Sequence, residues 1–479
     1  MQDVSLFDML IVIVYYCGII YLGYAVSKKV KKGGFSEFAM SSKSQGMFTL
    51  FCSVAATHIG SGLCLGLVGK LYATGMQAVW IAVGYFVGTI LFTVCLAKKI
   101  RERAQVPGWG VTMGDVFEDA YGIGGRAIYG TVAAWERIGV LAGQLVAIGV
   151  LLSLIFAQFG LSQIWGTIIA GIVIVIYVTL GGLRAVIYSD TIQCCVMIAG
   201  IGITLPILLL LKVPAGELFS SAPPEFYSFK PTSLMLIATI FSWGTSGLAN
   251  QNIWARIVAA KDVKTAYKAN IFGAGFGIFW GFLMCLIACS MKSIFPVIDG
   301  GADTYLLKTI VHTFPIGITG LILAAVLANV VSTADSVLMN AILNISHDLY
   351  SKTFMRNKGV TDEQVLRFTR ISAPIVCIAP VILGIYVPLI IEVQNLGYAV
   401  YGAGVAIPFW IAVLSKKKLS HKAAIISIMV GFLVSAYFYM NQVIVPNSII
   451  GMICCGIVFA IVNALDKNKG GDPKVEQVN

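Results

Sequence analysis

Residues 317–343 read GITGLILAAVLANVVSTADSVLMNAIL, a stretch that is long and apolar enough to cross a bilayer yet contains an acid and several hydroxyl groups near its middle. A carboxylate at bilayer depth costs about 2.5 to 3.5 kcal/mol on insertion scales, so such a residue usually marks an ion or substrate path. With about 3.6 residues per turn, Ser332, Asp335 and Ser336 share one helical face, and Thr333 lies beside them. Short oxygen ligands suit a small hard cation such as sodium. The alternative is that the hydroxyls bond to their own helix and that Asp335 pairs with a neighbouring helix.

The composition restricts the class of protein. The chain has 479 residues, of which 58% are hydrophobic and only 11% are charged. Soluble globular chains have about 25% charged residues, so the composition predicts an all-α, polytopic membrane protein. Its four histidines lack HExxH spacing, and no Walker or Ser/His/Asp signature is evident. We therefore do not expect an enzyme, a nucleic-acid partner or an obligate protein partner.

The basic residues follow a topological pattern. Most of the 33 lysines and arginines fall in every second connection between the apolar runs. This is the positive-inside pattern. The net charge of +11 therefore reflects membrane topology. We predict a multi-pass protein of the plasma (inner) membrane, with the N-terminus outside and the C-terminus in the cytoplasm.

The apolar runs predict about thirteen spans of roughly 20 residues each. The approximate ranges are 4–26, 47–70, 76–97, 127–156, 162–180, 188–211, 233–254, 269–291, 316–345, 369–391, 393–414, 423–440 and 446–465. The segment 101–125 is expected to form a short amphipathic helix on the cytoplasmic surface.

Two of these spans contain polar, glycine-rich interruptions. Residues 48–69 read FTLFCSVAATHIGSGLCLGLVG, and residues 240–256 read IFSWGTSGLANQNIWAR. Interruptions at this depth are tolerated where the freed backbone lines a cavity or is held by protein. The alternative is that the glycines only allow helices to pack closely. Arg256, Lys261 and Lys264 follow the second interruption and are expected to mark the cytoplasmic face.

Each interruption opens a block of five spans, and matched broken helices of this kind are typical of secondary transporters built from inverted repeats. We therefore predict an extra N-terminal helix and cytoplasmic linker (1–46), a first inverted repeat (47–211), an external loop (212–232), a second inverted repeat (233–414), and two C-terminal helices with a short cytoplasmic tail (415–479).

Several motifs resemble one known family. YVTLGGLRAVIYSDTIQ (177–193) and LANVVSTADS (327–336) look like signatures of the sodium:solute symporter family, and the resemblance extends from about residue 41 to 414. ATHIGSG, SWGTSGLANQNIWARIV and STADS, in that order, are most similar to its high-affinity choline transporter branch. The resemblance implies a LeuT-like fold of two inverted five-helix repeats, each with a broken first helix.

The resemblance also implies ion sites. The family's sodium site corresponds here to the carbonyls of Ala56, Ile59 and Asn329 and the hydroxyls of Ser332 and Thr333. A second sodium, held in some members, would correspond to Asp190, Ser332, Asp335 and Ser336. From the residues alone, Asp190 follows a Gly-Gly turn at the mouth of a span, where a solvated helix cap is the alternative.

The solute is predicted from a different set of residues. Choline is recognised by aromatic faces. Of the four positions expected to form an aromatic cage, only Tyr85 is aromatic, because the other three are His58, Val140 and Asn250. Choline is therefore disfavoured. Arg137 lies within a span and shares a face with Gln144, and its guanidinium could hold a carboxylate. His58 and Asn250 would add donors, and Trp243 and Tyr85 would wall the pocket. The alternative is that Arg137 pairs with Glu136 or Glu392.

Together these features predict a sodium-coupled symporter that imports a small, carboxylate-bearing solute, either an amino acid or an organic anion, by alternating access. Two alternatives stay open. A proton-coupled carrier of the same fold would titrate Asp190, Asp335 or His58. A transporter-like sensor would need a signalling domain, and none is evident in the short segment after Leu465.

Overall fold

The computed structural model describes residues 4–214, 216–387, 389–415, 419–441 and 446–466, apart from the side chains of 27–33. The basic connection 416–418 and the predicted tail after residue 466 lie outside the described residues. The α-helices are α1 (Leu6–Met40), α2 (Met47–His58), α3 (Leu67–Thr74), α4 (Trp80–Arg103), α5 (Gly114–Ile155), α6 (Gln163–Met197), α7 (Leu205–Leu210), α8 (Leu234–Gly247), α9 (Gln251–Ala259), α10 (Val263–Ile294), α11 (Tyr305–Thr313), α12 (Ile318–Leu343), α13 (Asp362–Tyr386), α14 (Ile390–Leu414), α15 (His421–Met440) and α16 (Asn447–Leu465).

Three π-helical segments continue or join these helices. Gly62–Gly66 leads into α3, Ile198–Thr204 joins α6 to α7, and Asn344–Phe354 extends α12. The nearly all-helical architecture predicted from the composition is confirmed.

The number of membrane spans is close to the prediction. Ten helices of the described residues are long and apolar enough to cross a membrane, or up to eleven if the bent pair Met47–His58 and Gly62–Thr74 is one span. The predicted count of thirteen is approximate. It divides the continuous helical run Gln163–Leu210 into two spans and adds the pair α8–α9 as one more.

Two glycines with non-helical backbone angles divide α5 and α6 into two helical segments each. Gly182 has φ 56° and ψ −162°, a backbone conformation that residues with a Cβ rarely adopt. An added Cβ would also lie 2.5 Å from the Phe38 ring, so the turn packs directly on α1. Gly122, at φ 69°, divides α5 in the same way. Residues 114–121 before it form the short helix predicted within 101–125.

Both predicted helix breaks are present. α2 ends at His58, and helical structure resumes at Gly62 after a bend of 61°. α8 ends at Gly247, and α9 begins at Gln251, where Asn250 caps it by accepting hydrogen bonds from the amides of Asn252 and Ile253. The alternative, that these glycines only serve close packing of unbroken helices, is therefore wrong.

The core of the bundle surrounds α12. The most apolar window of the helical run Ile318–Phe354 is 94% buried, a larger share than in any other candidate span of the described residues. Ser332 and Asp335 are both 0% exposed. The polar groups of α12 therefore face protein and not lipid.

The extra N-terminal helix is tied to the beginning of α12. Asp8 Oδ1 accepts hydrogen bonds from the amides of Gly317 and Gly320, both at 2.7 Å. An added Cβ on Gly320 would lie 2.7 Å from Asp8 Cα, so the two helices are in close contact. Asp8 thus caps the N-terminus of α12, where free amides and the helix dipole favour an anion.

Replacing Asp8 with alanine should lower the stability of the protein by about 1–2 kcal/mol, because loss of an N-cap acceptor has a cost of this size. Thermal unfolding of the purified protein in detergent would show this as a lower midpoint temperature. Asp8→Asn is the control, because it keeps a side-chain oxygen for the two amides and should retain most of the stability. Equal midpoints for wild type and Asp8→Ala would contradict the capping role.

Candidate functional site

The break after α2 faces the middle of α12. Ser332 Oγ lies within hydrogen-bonding distance of two carbonyl oxygens, Ala56 at 3.0 Å and Asn329 at 2.8 Å, which share its single proton. Thr333 Oγ1 lies 2.9 Å from the Thr57 carbonyl and 3.4 Å from the Ala56 carbonyl. Ser332 therefore bonds both within its own helix and across to α2.

Thr333 also packs tightly on the broken backbone. An added Cβ on Gly60 would lie 2.4 Å from Thr333 Oγ1, so only glycine allows this approach. Ile59, the residue at which α2 stops being helical, adjoins Gly60 and is 0% exposed. Of the five groups predicted for the sodium site, Ala56, Asn329, Ser332 and Thr333 are joined by these contacts, and Ile59 lies in the adjoining break. We call them the carbonyl site: Ala56, Ile59, Asn329, Ser332 and Thr333.

A second group of polar side chains lies between α2, α6, α9 and α12. Asp190 Oδ2 accepts hydrogen bonds from Ser53 Oγ at 2.5 Å and from Thr57 Oγ1 at 3.2 Å. Thr57 Oγ1 in turn lies 3.2 Å from Ser336 Oγ. Asp190 is 0% exposed, so it is not a solvated helix cap. We call this group the acidic cluster: Ser53, Thr57, Asp190, Arg256, Asp335 and Ser336.

Asp335 belongs to this cluster without being paired. It is 0% exposed, and within the described part of the chain neither carboxylate oxygen has a hydrogen bond of normal geometry. Its carboxylate interacts electrostatically with Asp190 and Arg256 and lies beside the amide and hydroxyl of Ser336. The alternative that Asp335 simply pairs with a neighbouring helix is not what the structure shows. Ser332, which the resemblance assigns to both ion sites, makes its bonds at the carbonyl site.

The cluster contains a residue that the sequence placed elsewhere. Arg256 was expected at the cytoplasmic face, but it is 0% exposed and its Nη2 lies 3.0 Å from Asp190 Oδ2. The expectation was wrong because α9 is a short helix buried throughout its length from Gln251 to Ala259. The available signal was Asn250, which begins a helix whose second turn carries Arg256 into the bundle.

A narrow cavity with about 10 Å³ of water-accessible space lies beside the carbonyl site. It is lined by residues of α2 and the first break, by α8 and α9 on either side of the second break, and by α4, α5, α12 and α14. The lining residues are Thr57, His58, Gly60, Gly62, Leu63, Tyr85, Val140, Gln144, Trp243, Asn252, Thr333, Gln394 and Tyr398. We call it the central cavity. This is room for about one water molecule, so binding of a solute requires the lining side chains to move apart.

One side of the central cavity is polar. Gln144 Oε1 accepts the Ser61 amide at 2.9 Å, and Gln394 Nε2 donates to Ser61 Oγ at 3.0 Å. His58 Nδ1 lies 2.6 Å from the Tyr85 hydroxyl, while its Nε2 is buried without a hydrogen-bond partner in the described part of the chain. The π-helical segment that leads into α3 has its N-terminus at Gly62, next to these groups.

The other side is aromatic. The rings of Tyr85 and Trp243 have centroids 5.9 Å apart, and those of Trp243 and Tyr398 are 5.1 Å apart, both edge-on. Trp243 Nε1 donates to Asn395 Oδ1 at 2.7 Å, which fixes its ring. Of the predicted solute residues, His58, Tyr85, Gln144 and Trp243 line the cavity, and Asn250 supports it by donating to the Tyr85 hydroxyl at 2.9 Å.

Arg137 lies apart from the cavity lining. Its Nε is 2.7 Å from Glu136 Oε2, and both side chains are 1% exposed. Glu392, the other candidate partner, lies on an exposed position of α14. The structure therefore matches the alternative in which Arg137 is held by Glu136. The cavity residues of α9 and α14 that the sequence analysis missed are Asn252, Gln394 and Tyr398, because nothing in the pattern of these helices shows which face turns inward.

The fold and these sites define a class of protein. Two helix breaks that meet around a cavity, with an oxygen-lined site shared between one break and a buried helix, are typical of secondary transporters. The family model described as the sodium:solute symporter family matches residues 38–431, and the chain belongs to this family.

The individual relatives are distant. The chain is 24% identical to sodium/proline symporter 2 of Staphylococcus saprophyticus, over 89% of this chain and 84% of that protein. It is 23% identical to a sodium/proline symporter of Staphylococcus aureus, over 93% of this chain and 90% of that protein. These comparisons do not show the choline transporter branch.

Solved structures show the same fold. A Na+-coupled sialic acid symporter in a substrate-bound, outward-open state has a TM-score of 0.82 at 16% identity, and the match covers 98% of this chain and 100% of that one. MHP1, a nucleobase-cation-symport-1 family transporter in a closed conformation, has a TM-score of 0.55 at 16% identity, over 89% and 92% of the two chains. The LeuT-like fold predicted from the sequence is confirmed. The chain is thus a multi-pass membrane protein of a family of sodium-coupled symporters.

Proposed function

We propose that this protein imports a small amino acid together with sodium by alternating access. The observation that carries the proposal is the shared position of Thr333. Its hydroxyl contacts the carbonyls at the end of α2, and the same residue lines the central cavity. An ion and a solute bound on the two sides of Thr333 would be in near contact.

The carbonyl site supports sodium as the coupling ion. Its atoms are neutral carbonyl and hydroxyl oxygens supplied by two different helices, α2 and α12. Such hard oxygen ligands suit a small alkali cation. An ion held there bridges α2 and α12, so it favours the state in which the two helices are together, and the ion and the solute can favour the same state.

The central cavity supports a small solute with one carboxylate. The helix N-terminus at Gly62 supplies the positive end of a helix dipole, which favours an anion. His58 Nε2 is available as a neutral polar group on the same side. The edges of Tyr85, Trp243 and Tyr398 suit a short hydrocarbon body on the other side. The related proteins are named for proline and sialic acid, which both have a carboxylate.

We further propose that the repeats 47–211 and 233–414 rock against each other, with the N-terminus outside and the C-terminus in the cytoplasm. On the motif resemblance alone, we propose a shared ancestry with the choline transporter branch. His58, Val140 and Asn250 occupy three of its cage positions, so choline is not the proposed cargo.

The direct test is uptake of radiolabelled L-proline by proteoliposomes containing the purified protein. An inward sodium gradient should raise uptake at least about tenfold over an equal potassium gradient, since each tenfold corresponds to about 1.4 kcal/mol of coupling. Other small amino acids and small organic anions would be compared as competitors. Uptake driven equally well by a pH gradient without sodium would contradict the proposal, as would competition by choline alone.

A further inference from the structure

The inference concerns Arg256 and rests on the proposed sodium-coupled function. Its guanidinium contacts every hydroxyl of the acidic cluster. Nη2 donates to Ser336 Oγ and to Thr57 Oγ1, each at 2.6 Å, and Nε donates to Ser53 Oγ at 3.0 Å. The same Nη2 forms the ion pair with Asp190 Oδ2 at 3.0 Å. One side chain thus occupies the space that a cation bound at Asp190 would need.

The cluster is built for a positive charge. Asp190 and Asp335 are both 0% exposed, and buried carboxylates require a nearby cation or a proton. Asp190 Oδ1 has no hydrogen-bond partner in the described part of the chain. This unpartnered carboxylate oxygen identifies a cation site. The cation that occupies the site is the guanidinium of Arg256, which is part of the protein.

The hydroxyls of the acidic cluster are not free to coordinate a sodium ion beside Asp190. Sodium exchanges its water for several oxygen ligands, and the hydroxyls that could supply them already accept hydrogen bonds from Arg256. An ion beside Asp190 would also lie a few Å from the guanidinium. Like charges repel strongly at that distance in a buried site.

We propose that Arg256 is a tethered cation that takes the place of a second sodium ion at Asp190, so that the protein binds one sodium ion, at the carbonyl site. Arg256 therefore determines the number of ions that are coupled to each solute. Asp190 and Ser336 correspond to ligands of a second sodium in the family resemblance, but here they hold a side chain of the protein itself.

The test is equilibrium binding of radioactive sodium to the purified protein in nanodiscs, which needs no solute. Wild type should bind one sodium ion per chain. Arg256→Gln should bind two, because it frees Asp190 and the three hydroxyls. The double variant Arg256→Gln with Asp190→Asn should return to one, since both members of the pair are neutral. Arg184→Gln is the matched control, because Arg184 pairs with Glu37 away from this cluster, and it should bind one.

The outcomes separate the two proposals. Two ions in wild type, or one ion in Arg256→Gln with Asp190 intact, would overturn the role of Arg256 and leave sodium coupling standing. No sodium binding in wild type would instead remove the proposed function. If Arg256→Gln does not fold, the charge-balanced double variant decides. It should keep the wild-type count, whereas loss of an ion would mean that Asp190 holds sodium in the wild type.

Discussion

Replacing Thr333 with alanine is expected to raise the sodium concentration that half-saturates uptake by about 10- to 100-fold. The hydroxyl is lost from the carbonyl site, and an oxygen that binds a charged partner contributes about 1.5–3 kcal/mol, where 1.4 kcal/mol corresponds to tenfold. The measurement is the sodium dependence of solute uptake in proteoliposomes. Because Thr333 also lines the central cavity, the apparent affinity for the solute should fall together with the apparent affinity for sodium.

Two variants serve as controls for this change. Thr333→Ser keeps the hydroxyl and should remain within a few-fold of wild type. Thr319→Ala removes a buried hydroxyl from the same helix, where it donates to the Phe314 carbonyl at 2.9 Å, and should leave the sodium dependence unchanged. If Thr333→Ala retains the wild-type sodium affinity, the assignment of the carbonyl site is wrong.

Replacing Arg137 with glutamine should destabilise the protein by about 3–5 kcal/mol, because it leaves a buried carboxylate without its partner. Arg137 Nε lies 2.7 Å from Glu136 Oε2, and each side chain is only 1% exposed. Solvent therefore cannot compensate for the lost charge. Thermal unfolding in detergent would show a large drop in the midpoint temperature. The amount of folded protein recovered from the membrane should fall as well.

The double variant Glu136→Gln with Arg137→Gln distinguishes the two roles considered for Arg137. Removing both charges of a buried pair is far less harmful than removing one. If Arg137 is structural, the double variant should regain most of the stability and also the sodium-driven uptake. Regained stability with uptake still abolished would show instead that the guanidinium binds the solute carboxylate.

The sequence alone was sufficient to predict the spans, the breaks and the polar middle of α12. Each of these follows from local composition and the properties of the bilayer, where apolar runs are inserted and unpaired backbone is tolerated only against protein. The breaks at 59–61 and 248–250 could be predicted for this reason. The carbonyl site stays a prediction from the family resemblance, and its residues lie on the first break and on α12.

Only the tertiary structure decided which side chains meet. Arg256 and Asp190 are 66 residues apart in the chain, and no helical period shows that α9 turns its arginine toward α6. The same holds for Tyr398 and Gln394 on α14, and for Arg137, where the choice between a solute and Glu136 depends on how α5 is rotated. Local pattern determines which segments are apolar enough to cross the bilayer, whereas the rotation and register of packed helices determine which polar side chains are buried and which partners they have. Helix rotation and register depend on contacts between segments that are distant in the sequence, so no single stretch of the chain determines them.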